Sequence, residues 1–153
     1  MIPSDFSPLM AEVRQWMLQM SEQERMQKLM EWSEEQPHLF GFLVNLADDF
    51  PSREHQALSL LPLVVQESFR RMGMSVDAIA PDLLQKCIEE QVENAEKKEQ
   101  AEEESRRMLQ ELQRIWEFFS DLDSGQMDDR EDVALILRVL LSAFERSVPE
   151  QLQ

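Results

Sequence analysis

The stretch DLDSGQMDDRED, residues 121–132, is the part of the sequence whose residue types could do chemistry. Four of its aspartates fall at positions 1, 3, 9 and 12 of an EF-hand calcium loop: Asp121, Asp123, Asp129 and Asp132. Such a loop also needs an oxygen ligand at position 5 and a glycine at position 6, whereas Gly125 and Gln126 stand there. We therefore predict a turn between two helices, and the four aspartates remain metal ligands only in the alternative interpretation.

Other carboxylates have the spacing of half a metal site. Glu35 and His38 form one Glu-x-x-His pair, but a helical di-iron site needs two such pairs. Glu31 and Glu34 resemble the first half of the magnesium site of helical nucleotide pyrophosphohydrolases, but the chain has no Glu-x-x-Asp for the second half. Phosphate-binding loops and nucleophile elbows are missing as well. We predict no catalytic residues and no cofactor, and a metal-dependent helical enzyme or a calcium-responsive protein is the alternative.

Charge and cysteine content narrow the classes of partner. The chain carries 31 acidic and 15 basic side chains, a net charge of −16, which repels nucleic acid and anionic membranes. Residues 1–74 account for −5 of this charge and residues 75–153 for −11. A charge of this size suits a basic protein partner, or serves solubility alone. Cys87 is the only cysteine, which excludes an internal disulfide.

Neither a membrane span nor a secretory signal is predicted. No uncharged segment approaches the roughly 20 apolar residues that cross a bilayer. The amino terminus, MIPSDFSP, lacks the cationic start and apolar run of a signal peptide. We expect a cytoplasmic protein.

The elements that must position any site are helices, because the chain shows no alternation of apolar and polar residues. Ser21 with Glu24 has the spacing of a capping box, Pro37 opens a third helix, and Gly73 stands where a fourth helix ends. Pro62 lies inside that fourth helix and must kink it or divide it. The segment PHLFGFLVNLADD, which follows residue 36, is apolar almost all round, as is typical of a central helix.

The predicted fold is an all-α bundle of about six helices, one of them long and charged. Residues 1–73 form an amino-terminal bundle, and residues 74–153 form the long helix and a terminal helix. From Asp82 to Asp123 a straight helix would measure roughly 63 Å, which is too long for one globule of this size. We therefore predict a homodimer in which the carboxyl-terminal arm packs on a second chain, with a bend near 95–105 as the alternative. The predicted interface consists of Leu112, Trp116, Phe119, Leu137, Leu140 and Phe144.

Methionine is abundant, at ten residues, and much of it lies in the first two helices. Flexible thioethers fill irregular cores, but they also line surfaces that accept varied apolar partners. We predict a partner-binding face at Trp16, Met20, Met30 and Trp32. The function predicted from the sequence is a non-enzymatic protein–protein interaction module, such as an adaptor, a chaperone-like protein or an assembly factor. Its partner would be basic or would present an apolar segment.

Overall fold

The computed structural model describes residues 6–97, 103–120 and 131–148, with the backbone alone at 94–97 and 103–105. Within these ranges the chain forms seven α-helices and no strand, so the predicted all-α bundle is confirmed. The helices are α1 (Phe6–Gln19), α2 (Glu22–Glu35), α3 (Pro37–Ala47), α4 (Ser52–Arg71), α5 (Pro81–Lys97), α6 (Glu103–Ser120) and α7 (Glu131–Arg146).

Short-range signals in the sequence set several helix ends. The Ser21 hydroxyl accepts a hydrogen bond of 3.1 Å from the backbone N–H of Glu24, which caps α2. Pro37 occupies the first turn of α3, where its missing N–H is not needed. Gly73 has a φ of +77° just after α4, a left-handed conformation that glycine adopts without strain. All three predictions made from these residues are confirmed.

Helix α4 is the centre of the bundle, and it contacts α1, α2, α3, α6 and α7. Its 20 residues run unbroken through the buried Pro62, so the proline does not divide the helix. The prediction that α3 is central is wrong, because only its Leu39 and Leu43 are buried while Val44 is 53% exposed. At 11 residues α3 is too short to line the whole bundle, and it covers one side of α4.

The predicted long charged helix is described as two helices with different neighbours. Helix α5 packs mainly on α7 and also touches α3, whereas α6 packs on α4, α1 and α7. The backbone N–H of Asp77 donates a 2.8 Å hydrogen bond to the carbonyl of Ser147, which ties the segment before α5 to the end of α7. The alternative bend was predicted near 95–105, and residues 98–102 of that stretch lie outside the described ranges.

The residues predicted to contact a second chain lie in the core of this one, which corrects their assignment as an exposed interface. Five side chains of the set have no exposed surface: Leu112, Trp116, Leu137, Leu140 and Phe144. Phe119 is half-buried. An apolar face of this size needs a cover, and α1 and α4 of the same chain supply it to α6. The homodimer itself stays a prediction, but the surface predicted for its interface is largely buried within one chain.

Candidate protein-binding surface

Helix α2 lies at the edge of the bundle and is anchored near its carboxyl end by Trp32. Trp32 is 2% exposed, and it is the only buried residue of α2, which the structure describes in full. Its indole Nε1 donates a 3.0 Å hydrogen bond to Oε1 of Gln66 on α4. The Phe40 ring packs against it edge-on, with 6.2 Å between the ring centroids. One buried side chain in 14 residues leaves most of α2 accessible.

A second attachment is made by Arg25 in the middle of α2. Its guanidinium lies 5.6 Å from the ring centroid of Phe119, close enough for a cation–π interaction. Its Nη1 donates a 3.2 Å hydrogen bond to the carbonyl of Met20. The Nε atom is buried and has no hydrogen-bond partner among the described residues. Arg25 is therefore half-buried, with its guanidinium directed toward Phe119.

Two methionines are displayed on the outer side of α2. Met26 is 55% exposed and Met30 is 64% exposed, and their spacing of four residues places them on the same side of the helix. They line an open, shallow depression together with Ser21, Glu22, Gln23 and Gln27. Val44, Val92 and Phe118 are also exposed within the described ranges, but each belongs to a different helix. The pair on α2 is a continuous apolar surface one turn long.

Carboxylates stand at both ends of this pair. Glu22 precedes Met26 by one turn and Glu34 follows Met30 by one turn, and both are exposed. Neither makes an ion pair with a described basic side chain. Lys28, on another side of the helix, lies 3.6 Å from Glu31. We call Met26 and Met30, with Glu22 and Glu34 at the two ends, the α2 methionine face.

The four residues predicted to bind a partner are not brought together in one open surface. Trp32 belongs to the core, and Met20 is half-buried at the end of α1. Trp16 is half-buried under Arg71, whose guanidinium lies 4.8 Å from the ring centroid. Of the four, only Met30 is largely exposed, and the prediction from the sequence did not include the similarly exposed Met26. Its spacing of four from Met30 was the signal that could have identified it.

The alternative metal site is only partly covered by the structure. Asp121, Asp123 and Asp129 lie outside the described ranges. Asp132 is exposed in the first turn of α7, where its Oδ1 accepts a 2.9 Å hydrogen bond from the backbone N–H of Val133. Among the described residues, no group of three His, Cys, Asp or Glu side chains is arranged to hold a metal ion. No described helix combines the length and the apolar character needed to cross a membrane.

Comparison of the chain with protein-family models, with curated proteins and with solved structures finds no match. Among the described residues, the α2 methionine face combines two exposed apolar side chains with exposed carboxylates at both ends.

Proposed function

We propose that the chain is a non-enzymatic protein–protein interaction module that binds its partner through the α2 methionine face. The observation that carries the proposal is the exposure of Met26 and Met30, at 55% and 64%, on a helix that has a single buried side chain. Methionine is unbranched and polarizable, so it adapts to apolar surfaces of different shape. Roles as an adaptor, a chaperone-like protein or an assembly factor all use such a surface.

Coverage of the two methionines by a partner is energetically favourable. Full burial of a methionine side chain stabilises an association by about 1.5–3 kcal/mol relative to exposure. Single exposed apolar residues are common on protein surfaces and need no explanation, but a pair on one turn gives a partner two adjacent contacts. Gln23 and Gln27 border the pair and offer hydrogen bonds at the rim of an interface.

Other parts of the proposal rest on the sequence. The net charge of −16 supports a protein partner over nucleic acid or an anionic membrane. A cytoplasmic location is also part of the proposal, and it too is predicted from the sequence alone.

Site-specific photo-crosslinking tests the proposal. A benzoylphenylalanine is placed at Gln27, beside the methionine pair, and in a second protein at Gln56, which is exposed on α4. In extracts of the source organism we expect a discrete adduct from position 27 alone. The adduct should disappear when Met26→Glu and Met30→Glu are added, and it should persist with Val92→Glu on α5. Equal adducts from both positions, or an adduct insensitive to the methionine substitutions, would contradict the proposal.

A further inference from the structure

The chemistry of the α2 methionine face restricts the kind of segment that can cover it. A β-strand needs an exposed strand edge for pairing, and a helix has none because its backbone groups are bonded internally. Proline-rich segments dock in grooves lined by aromatic side chains, whereas this depression is lined by Ser21, Glu22, Gln23, Met26, Gln27 and Met30. Two apolar residues one helical turn apart match the spacing of a second helix. The geometry therefore favours a helical occupant.

Charge restricts the occupant further. Helix α2 carries five glutamates and two basic residues. One of the basic residues, Arg25, is turned inward onto Phe119, and the other, Lys28, is paired with Glu31. Glu22 and Glu34 remain at the two ends of the methionine pair, roughly 18 Å apart along the helix axis at 1.5 Å per residue. A helix whose apolar side is flanked by lysine or arginine complements this pattern, and one flanked by acidic residues is repelled.

A second copy of the chain fits the face poorly. In a twofold dimer the same patch meets itself, so two antiparallel copies of α2 would place Glu22 of one chain opposite Glu34 of the other. Like charges at both ends of a small apolar contact oppose its formation, and each chain adds a net charge of −16. The charge pattern therefore argues against a second copy of the chain on this face.

On the basis of the function proposed above, we propose that the partner presents a basic amphipathic helix to α2. Two of its apolar residues, three or four positions apart, cover Met26 and Met30. Lysine or arginine side chains about one turn outward on each side reach Glu22 and Glu34. The apolar contacts supply the affinity of the complex, and the ion pairs at its exposed ends select the charge of the partner and speed association.

Three labelled peptides of about 18 residues, or five helical turns, test this assignment by fluorescence anisotropy with the full chain. The first has leucine on one helical face and lysine on the other. The second has glutamate in place of lysine, and the third has the composition of the first in scrambled order. We expect binding of the first peptide, at least about tenfold weaker binding of the scrambled peptide, and no binding of the acidic peptide.

Variants of the chain locate the binding site. Met26→Gln with Met30→Gln should weaken binding of the leucine–lysine peptide about tenfold. Glu22→Gln with Glu34→Gln should weaken it several-fold and reduce its dependence on salt between about 0.05 and 0.5 M. The matched controls are Val92→Gln, an exposed apolar residue of α5, and Glu12→Gln with Glu89→Gln, which removes two exposed carboxylates from other helices. Both controls should bind the peptide as the unmodified chain does. All these positions are exposed, so the helical content should not change.

The outcomes separate this inference from the function on which it rests. Binding of the leucine–lysine peptide that the methionine substitutions leave unchanged would show unspecific charge attraction and overturn the inference. Binding of the acidic peptide as tight as that of the lysine peptide, with a crosslink at position 27, would keep the proposed function and overturn the basic partner. If no peptide binds and no adduct forms in cell extract, both proposals fail.

Discussion

The indole nitrogen of Trp116 on α6 donates a 3.2 Å hydrogen bond to Oε1 of Glu54 on α4, and both side chains are fully buried. The ring of Phe50 packs against the same indole edge-on, at 5.7 Å between centroids. A buried carboxylate is costly unless it is hydrogen-bonded, so Glu54 favours the position of α6 that supplies this donor. The contact thus joins the carboxyl-terminal arm to the amino-terminal helices within one chain.

Replacement of Trp116 by phenylalanine should lower the free energy of unfolding by about 1–3 kcal/mol, because Glu54 loses a buried donor and the smaller ring leaves unfilled space in the core. Urea denaturation measures the change. Trp16→Phe is the control, since the Trp16 indole nitrogen donates no hydrogen bond to a described residue and the ring is half-exposed. Equal midpoints for Trp116→Phe and the unmodified chain would show that this hydrogen bond contributes no net stability.

The same contact explains what the sequence could and could not predict. Helix ends were predictable because their causes are local, as at Ser21, Pro37 and Gly73. The packing of α6 on α4 was not predictable from the sequence. Trp116 and Glu54 are separated by 62 residues, and the pattern of apolar residues in α6 does not show which surface will cover that helix. The apolar face was identified correctly, but it was assigned to a second chain.

The exposure of residues on α2 was likewise only partly predictable from the sequence. Met30 and Trp32 lie two positions apart on α2 and both are apolar, yet one is 64% exposed and the other 2%. Two positions along a helix correspond to about 200° of rotation, so Trp32 faces α4, where Gln66 accepts a hydrogen bond from the indole nitrogen, and Met30 faces outward. The methionine content pointed to the first two helices together, and the tertiary contacts decide which of their residues face solvent. The acidic ends of the face were visible in the sequence once Met26 and Met30 were known to be its centre.

Loss of the α2 cap should destabilise the protein. Ser21→Ala removes the oxygen that accepts from the Glu24 N–H, and we expect a loss of about 1 kcal/mol. Ser33→Ala in the same helix is the matched control, because Ser33 donates to the Met30 carbonyl from within the helix and caps nothing. Alanine has a higher helix propensity than serine, so the denaturation midpoint of Ser33→Ala should equal or exceed that of the unmodified chain. Chemical denaturation of the two variants should separate them, and equal losses would contradict the assignment of the cap.

Helix α2 should open more readily than the rest of the bundle, because it has one buried side chain and few long-range contacts. Gln66 joins it to α4 twice, as acceptor from Trp32 and as donor to Glu35 at 2.5 Å. Gln66→Leu removes both bonds and should speed amide hydrogen exchange throughout α2 while α4 stays protected. Gln56→Leu, at an exposed position of α4, should leave α2 exchange unchanged. Uniform acceleration in every helix would mean that α2 does not open separately.

The ion pair between Glu90 on α5 and Arg146 on α7 makes one contact between these helices sensitive to acid. The hydrogen bond from the Arg146 guanidinium holds the pKa of the Glu90 carboxyl below its ordinary value of 4.5. A carboxyl whose pKa is lowered by folding stabilises the folded state above its unfolded pKa, and this contribution is lost as the pH falls through the lowered value. The contribution of the pair is therefore complete at neutral pH, begins to fall as the pH approaches 4.5, and is lost once the pH is below the lowered pKa of Glu90.

Substitution of the arginine should move the titration of its partner. In Arg146→Gln the carboxyl loses its charged donor, so we expect the pKa of Glu90 to rise toward 4.5, as followed by carbon NMR of the side chain. The difference in stability between this variant and the unmodified chain should shrink as the pH is lowered below that value, because protonated Glu90 no longer attracts Arg146. Arg138→Gln, at an exposed position on the same helix, should leave the Glu90 titration in place. Identical titration of Glu90 in the unmodified chain and in Arg146→Gln would exclude this pair as an acid-sensitive contact between α5 and α7.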